Sequence, residues 1–196
     1  MSNNKNGIAE RLKELQASHP SRIIGRLERG LIVPLGGGLS YEIDDPLIYK
    51  RLKYDRSIKP GQIPLRIIYE VLRGKNRKGI IKLFGDRRVI PFSEAFEEGL
   101  GECADRAILT QLYAQENPNQ DSFLINGGLE LDTCPNLVEP HMYNAVIREQ
   151  PYLVDPTHPL VEDKENFIPY ATPIEDLRDR EFHVQKDWKQ GRTYLI

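Results

Sequence analysis

Gly101-Glu102-Cys103-Ala104-Asp105-Arg106-Ala107 opens the stretch around which the chain is organised, and that stretch runs on to His158. A glycine-led turn delivers Cys103 straight into an apolar-periodic helix, whose face is marked by Ala104, Ala107, Ile108 and Leu112. Further on come His141-Met142-Tyr143-Asn144-Ala145-Val146-Ile147 and Tyr152-Leu153-Val154-Asp155-Pro156-Thr157. Cys, His and Asp therefore follow in order, each at the edge of a different element. That is how a nucleophile, its base and the orienter of the base are assembled from distant parts of a chain.

Outward from this stretch, residues 121–126 and 129–131 read as strand material with a kink at Gly127-Gly128. Residues 141–148 and 152–155 read as two strands joined by a Glu149-Gln150-Pro151 turn, a hairpin that brings His141 and Asp155 side by side near its open end. Thr172-Pro173-Ile174-Glu175 has capping-box spacing with proline at the first helical position, which predicts a helix to about Arg180. A last strand is expected within 188–196. Toward the N-terminus, Ile8, Leu12 and Leu15 predict an amphipathic surface helix over 7–18, ending before Pro20. Strands follow at 22–25 and 31–34, broken by Gly36-Gly37-Gly38. No Lys-Ser/Thr follows the triple glycine, so it reads as a turn and not a phosphate loop. A helix at 64–73, a basic loop at 74–79 and a strand at 80–84 complete the reading.

The chain has 196 residues, 39% apolar and 29% charged, as expected of a globular domain with one sizeable core. No apolar run is long enough for a signal peptide or a membrane span, so the expected location is the cytoplasm, though a dedicated export system would leave no trace. Two cysteines are too few for a disulfide framework. The net charge of −2 conceals an asymmetry: residues 1–90 carry 19 Lys/Arg against 9 Asp/Glu (+10), and residues 91–196 carry 8 against 20 (−12). Because the basic residues are spread among apolar ones, this reads as two halves docked on each other and not as a nucleic-acid face. The oligomeric state is left open.

The region from Pro91 to about Leu160, somewhat over a third of the chain, resembles the transglutaminase-like superfamily of the papain-like cysteine enzymes. The resemblance rests on a Gly-x-Cys opening a helix, a His-x-Tyr-Asn strand and a Val-Asp-Pro-Thr strand end. It implies an α+β fold, with the nucleophile helix packed on an antiparallel sheet. Residues 1–90 would then be a basic α/β extension packing on a catalytic core at 91–196. It also implies a catalytic triad of Cys103, His141 and Asp155. The family's cross-linking members carry a tryptophan well before the nucleophile, whereas the only tryptophan here is Trp188; Tyr143 stands where tryptophan is frequent, and Ala145 where an acidic residue is common.

A cysteine attacks carbonyls as the thiolate, and a helix start favours negative sulfur through its exposed amides. His141 would take the proton and deliver it to the leaving amine, while Asp155 fixes the ring. The amide of Cys103 is one candidate for stabilising the oxyanion. Hydrolysis of a peptide, isopeptide or glutamine amide in a protein or peptide substrate is the expected activity. The alternatives are acyl or amine transfer with the same triad, and a catalytically silent protein-binding module. Neither Cys-x-x-Cys nor His-Glu-x-x-His occurs, so no metal is expected, and no cofactor is implied. Cys134, ahead of Pro135, reads as structural, and His158 as too near Asp155 to share its function.

Overall fold

The computed structural model describes residues 3–51, 84–98, 102–134, 136–158, 161–162, 167–168, 170–184 and 191–196. The helix expected at 64–73 and the basic loop at 74–79 lie outside them, as do Gly101, Trp188 and all of the 80–84 strand but Phe84. Helix α1 is Asn3–Ser18. A small sheet follows, made of β2 (Ile32–Gly36), β3 (Leu39–Glu42) and, parallel to β3, β4 (Val89–Pro91). Gly36, Gly37 and Gly38 all have positive φ (92°, 61° and 78°), a run that only glycine adopts without strain, and they form the β2–β3 turn as expected. Helix α2 is Phe92–Glu97 and helix α3 is Cys103–Ala114.

The remaining strands overturn the expected papain-like α+β core. Strands β5 (Asp121–Leu131), β6 (Val138–Ile147), β7 (Pro151–Asp155), β10 (Tyr170–Arg178), β11 (Glu181–Val184) and β12 (Arg192–Leu195) pair in the order β5-β12-β11-β10-β7-β6. Because β6 pairs with β5 again, the sheet closes into a six-stranded antiparallel barrel and the protein is mostly β. Strand β1 (Ile23–Ile24) adds to β5, and β8 (Val161–Glu162) and β9 (Phe167–Ile168) form a separate pair.

Closure depends on Gly127. Strand β5 pairs β6 along nearly its whole length, while its other neighbour changes from β1 at Leu124–Ile125 to β12 at Gly128–Leu131. At the changeover a Cβ on Gly127 would collide with the Leu195 carbonyl, so glycine lets the last strand come in close. The expected kink is therefore one continuous strand that exchanges partners. The expected helix at 172–180 is also wrong, since these residues form β10, with Thr172 opposite Leu153 and Pro173 opposite Tyr152. Ile174 and Leu177 are both buried, a spacing of three that imitates a helix face. An irregularity between Ile174 and Asp176 produces it, because one extra residue returns the strand to the same side.

Alternation along β5 and β6 divides the core in two. Phe123, Ile125, Tyr143 and Ala145 face the barrel core together with Leu153, Phe182 and Tyr194, and Ile8, Leu12 and Leu15 of α1 join that cluster. The α1 face is thus sealed across one barrel end. Leu124 and Met142 point the other way, toward Ala107, Ile108 and Leu112 of α3. Helix α3 lies between the barrel's outer face and the small sheet, which contributes Val33, Tyr41 and Ile90 to the same cluster.

Candidate active site

Helix α3 begins at Cys103 because its first turn is locked on both sides. The Glu102 side chain accepts from the Asp105 amide, and the Asp105 carboxylate accepts from the Glu102 amide at 2.8 Å. The box uses neither the Cys103 nor the Ala104 amide. The other Asp105 oxygen takes the Tyr41 hydroxyl at 2.8 Å. Burial raises the Asp105 carboxyl to about 6, against the pull of the Tyr41 and Glu102 hydrogen bonds. Burial, with Asp105 alongside, pushes the Tyr41 phenol far above its ordinary value.

At the barrel end opposite α1, His141 continues the inward row of β6 and stacks on Tyr143 with ring centroids 6.1 Å apart. Asp155 is the last residue of β7, one beyond the Asn144–Val154 pair, and is fully buried. His141 Nε2 and Asp155 Oδ2 are 3.0 Å apart. The hairpin brings the two together as the sequence implies. Desolvation opposes a charge on His141, but its bond to Asp155 and the nearness of Cys103 outweigh that and raise the imidazole to about 9. Burial likewise opposes charge on Asp155, yet the hydrogen bonds of His141 and His158 hold it well below the usual carboxylate range.

All three expected triad residues thus meet. Cys103, half-buried, sits beside the His141 ring, and both line a cavity of about 180 Å³. Tyr41, Asn126, Pro140 and Met142 complete much of its wall. Asn126 Nδ2 donates to the Pro34 carbonyl at 2.9 Å, which ties β5 to the small sheet at the cavity edge. Cys134 is exposed in the turn after β5, away from this arrangement.

Three participants were not identified from sequence. His158 shares the Asp155 carboxylate after all, through Nδ1 to Oδ2 at 3.0 Å. The Tyr194 hydroxyl donates to the same oxygen at 2.9 Å, and the Thr157 amide to Oδ1 at 2.8 Å. The Asp-Pro-Thr-His run carried a usable signal, since a carboxylate three residues before a histidine in a turn can fold back onto it. Tyr194 gave none. His141, Asp155 and His158 each offer an atom of metal-ligand type, all within 4.8 Å of one another. Among the described residues no helix is long and apolar enough to cross a membrane. Set against protein-family models, characterised proteins and solved structures, the chain matches none of them.

Proposed function

We propose that this protein is a cysteine-dependent amide hydrolase acting on a protein or peptide substrate through a thioester. The observation that carries the reading is that Cys103 of α3 and His141 of β6 line one cavity, with the buried Asp155 of β7 hydrogen-bonded to His141 behind it. The productive form is a Cys103 thiolate beside a His141 imidazolium. Sulfur attacks the carbonyl carbon, and the oxyanion that forms is met by amides at the start of α3. The tetrahedral intermediate collapses, the C–N bond breaks, and the His141 proton leaves with the amine or ammonia. Water then attacks the thioester and gives its proton to His141. The C–S bond breaks, releasing the acid and restoring the ion pair. Asp155 keeps the ring in place throughout and takes no proton.

Water is the expected final acceptor, because efficient amine transfer needs a channel that delays it. Tyr41 lines the cavity, but its hydroxyl is committed to Asp105. The test combines a thiol-directed probe at neutral pH with mass spectrometry of glutamine-containing peptides. Selective labelling of Cys103 over Cys134, with deamidated or cleaved product, supports the reading. Equal labelling and no turnover by wild type would remove it, and a dominant amine adduct would change hydrolase to transferase.

A further inference from the structure

We propose that His141, Asp155 and His158 also form a reversible site for a divalent transition ion of the zinc type, and that filling it switches the triad off. The donor set is two imidazole nitrogens and one carboxylate oxygen, the mixture that zinc and cobalt favour. His141 Nε2 and His158 Nδ1 each lie 3.0 Å from Asp155 Oδ2, and the two rings are 5.2 Å apart. Around a tetrahedral zinc with bonds of about 2.0–2.1 Å, neighbouring ligand atoms stand roughly 3.3 Å apart. The two nitrogen–oxygen spacings are already close to this, and the ligand atoms all lie within 4.8 Å of one another, so a rotation of the half-buried His158 ring toward His141 would complete the set.

The surroundings resemble the outer shell of a metal centre. Asp155 is held by the Thr157 amide at 2.8 Å and the Tyr194 hydroxyl at 2.9 Å, so its carboxylate is oriented before any ion arrives. His141 and Asp155 are buried, while the half-buried His158 gives an approach from solvent. Binding has a chemical cost that explains the switch. Each nitrogen must release to solvent the proton it shares with Asp155, and a His141 ring metallated at Nε2 keeps its one remaining proton on the other nitrogen, which then has no lone pair to accept a proton from Cys103. An ion at this site therefore ties up both the base and its orienter.

Metal binding stands apart from the hydrolase reading; only the inhibition rests on it. A full-length Cys103→Ala/Cys134→Ser variant removes both thiols as competing ligands, and zinc is titrated into it by calorimetry and cobalt by visible absorption. One ion per chain is expected, with the absorption bands of a low-coordinate N/O site. Outer-shell losses alone cost roughly 10–100-fold in metal affinity, so His158→Ala on this background should weaken binding at least about tenfold. His158→Gln, which keeps a donor to Asp155, should do the same if His158→Ala folds poorly. In the protein with its thiols intact, zinc over the same concentration range should stop turnover, and a chelator should restore it. The proposal is overturned if the thiol-free variant binds no ion, or if neither His158 substitution changes affinity. Inhibition without binding to the thiol-free variant would place the ion on Cys103 and overturn it too.

Discussion

At the barrel end where β5 begins and β6 finishes, Phe123, Ile147 and Leu177 pack against Ile8, Leu12 and Leu15 of α1. At the other end the same walls present His141, Asp155 and Tyr194, joined by hydrogen bonds of 2.9–3.0 Å. The inward row of β6 passes from Ile147 through Ala145 and Tyr143 to His141 without a change of parity. One alternation thus serves both ends, and only the residue type changes. The apolar end gains from desolvation, while the polar end bears its cost and recovers it through charge-assisted bonds. Stability should therefore be concentrated at the α1 end and chemistry at the other.

Substitutions at the polar end should have the largest effects on turnover. Cys103→Ala is expected to abolish amide hydrolysis with an unchanged circular dichroism spectrum and melting point, because a half-buried thiol at a helix start packs little. Full activity in a well-folded mutant would end the assignment. His141→Ala should come close to this loss, on the order of 10⁶-fold. Asp155→Asn should cost less, on the order of 10⁴-fold through the wrong tautomer, since the aspartate orients the base without taking its proton. If the Asp155→Asn pH profile matched wild type, Asp155 would have no part in the chemistry.

The opposite end should behave in reverse. Leu12 is fully buried in the barrel cluster, so Leu12→Ala should cost about 3 kcal/mol of stability through lost burial and a cavity. For a chain of this size that is roughly 6–12 °C in Tm. Turnover per folded molecule should stay at the wild-type value. A change in kcat at a temperature where the variant is fully folded would show that the two ends are coupled.

How much of this could be read from sequence depended on the range of the interactions. The α1 helix, the Gly36–Gly38 turn and the β6–β7 hairpin were legible, because each is set by periodicity or turn chemistry within about a dozen residues. The meeting of His141 and Asp155 was legible for the same reason, since the hairpin pairs them, and Cys103 was marked by the helix start, although β6 begins three residues before His141. Barrel closure was not, because it rests on β12 pairing with Gly128–Leu131 of β5 and passing close to Gly127, and nothing near Arg192–Leu195 announces that partner. The Tyr194 contact lies 39 residues from Asp155 in sequence and was hidden with it. Thr172-Pro173-Ile174-Glu175 misled by having capping-box spacing in what is a strand, β10, where Thr172 and Pro173 pair with Leu153 and Tyr152. His158 was excluded for its nearness to Asp155, yet a turn of that length bends the ring back onto the carboxylate.

The smallest expected effect is a pH dependence of stability confined to the polar end. His141 is raised to about 9 in the folded protein from an ordinary value of 6.5, as the Asp155 bond and Cys103 outweigh desolvation. A raised histidine binds its proton more tightly when folded, so its stabilisation is full below about 6.5 and disappears as pH rises through 9. The other shifted carboxyls act elsewhere on the scale. Asp105, raised to about 6 from 3.8, favours the folded state most below 3.8, and that contribution is gone above 6. Asp155 is depressed, so its contribution is present above 3.8 and lost only as pH falls below that. Asp44 and Asp176 are likewise depressed, so among the described residues with shifted values the window from 6.5 to 9 is left to His141. Because its protons are shared with coupled neighbours, a fall of only about 5 °C in Tm across that window is expected. The α1 end should be silent there, since its Lys13–Asp121 pair is exposed and contributes little. Thermal melts of wild type and His141→Gln at half-unit intervals from pH 6 to 9.5 provide the check. The slope should flatten in His141→Gln; equal slopes in the two proteins would show that the alkaline loss of stability arises outside the His141–Asp155 pair.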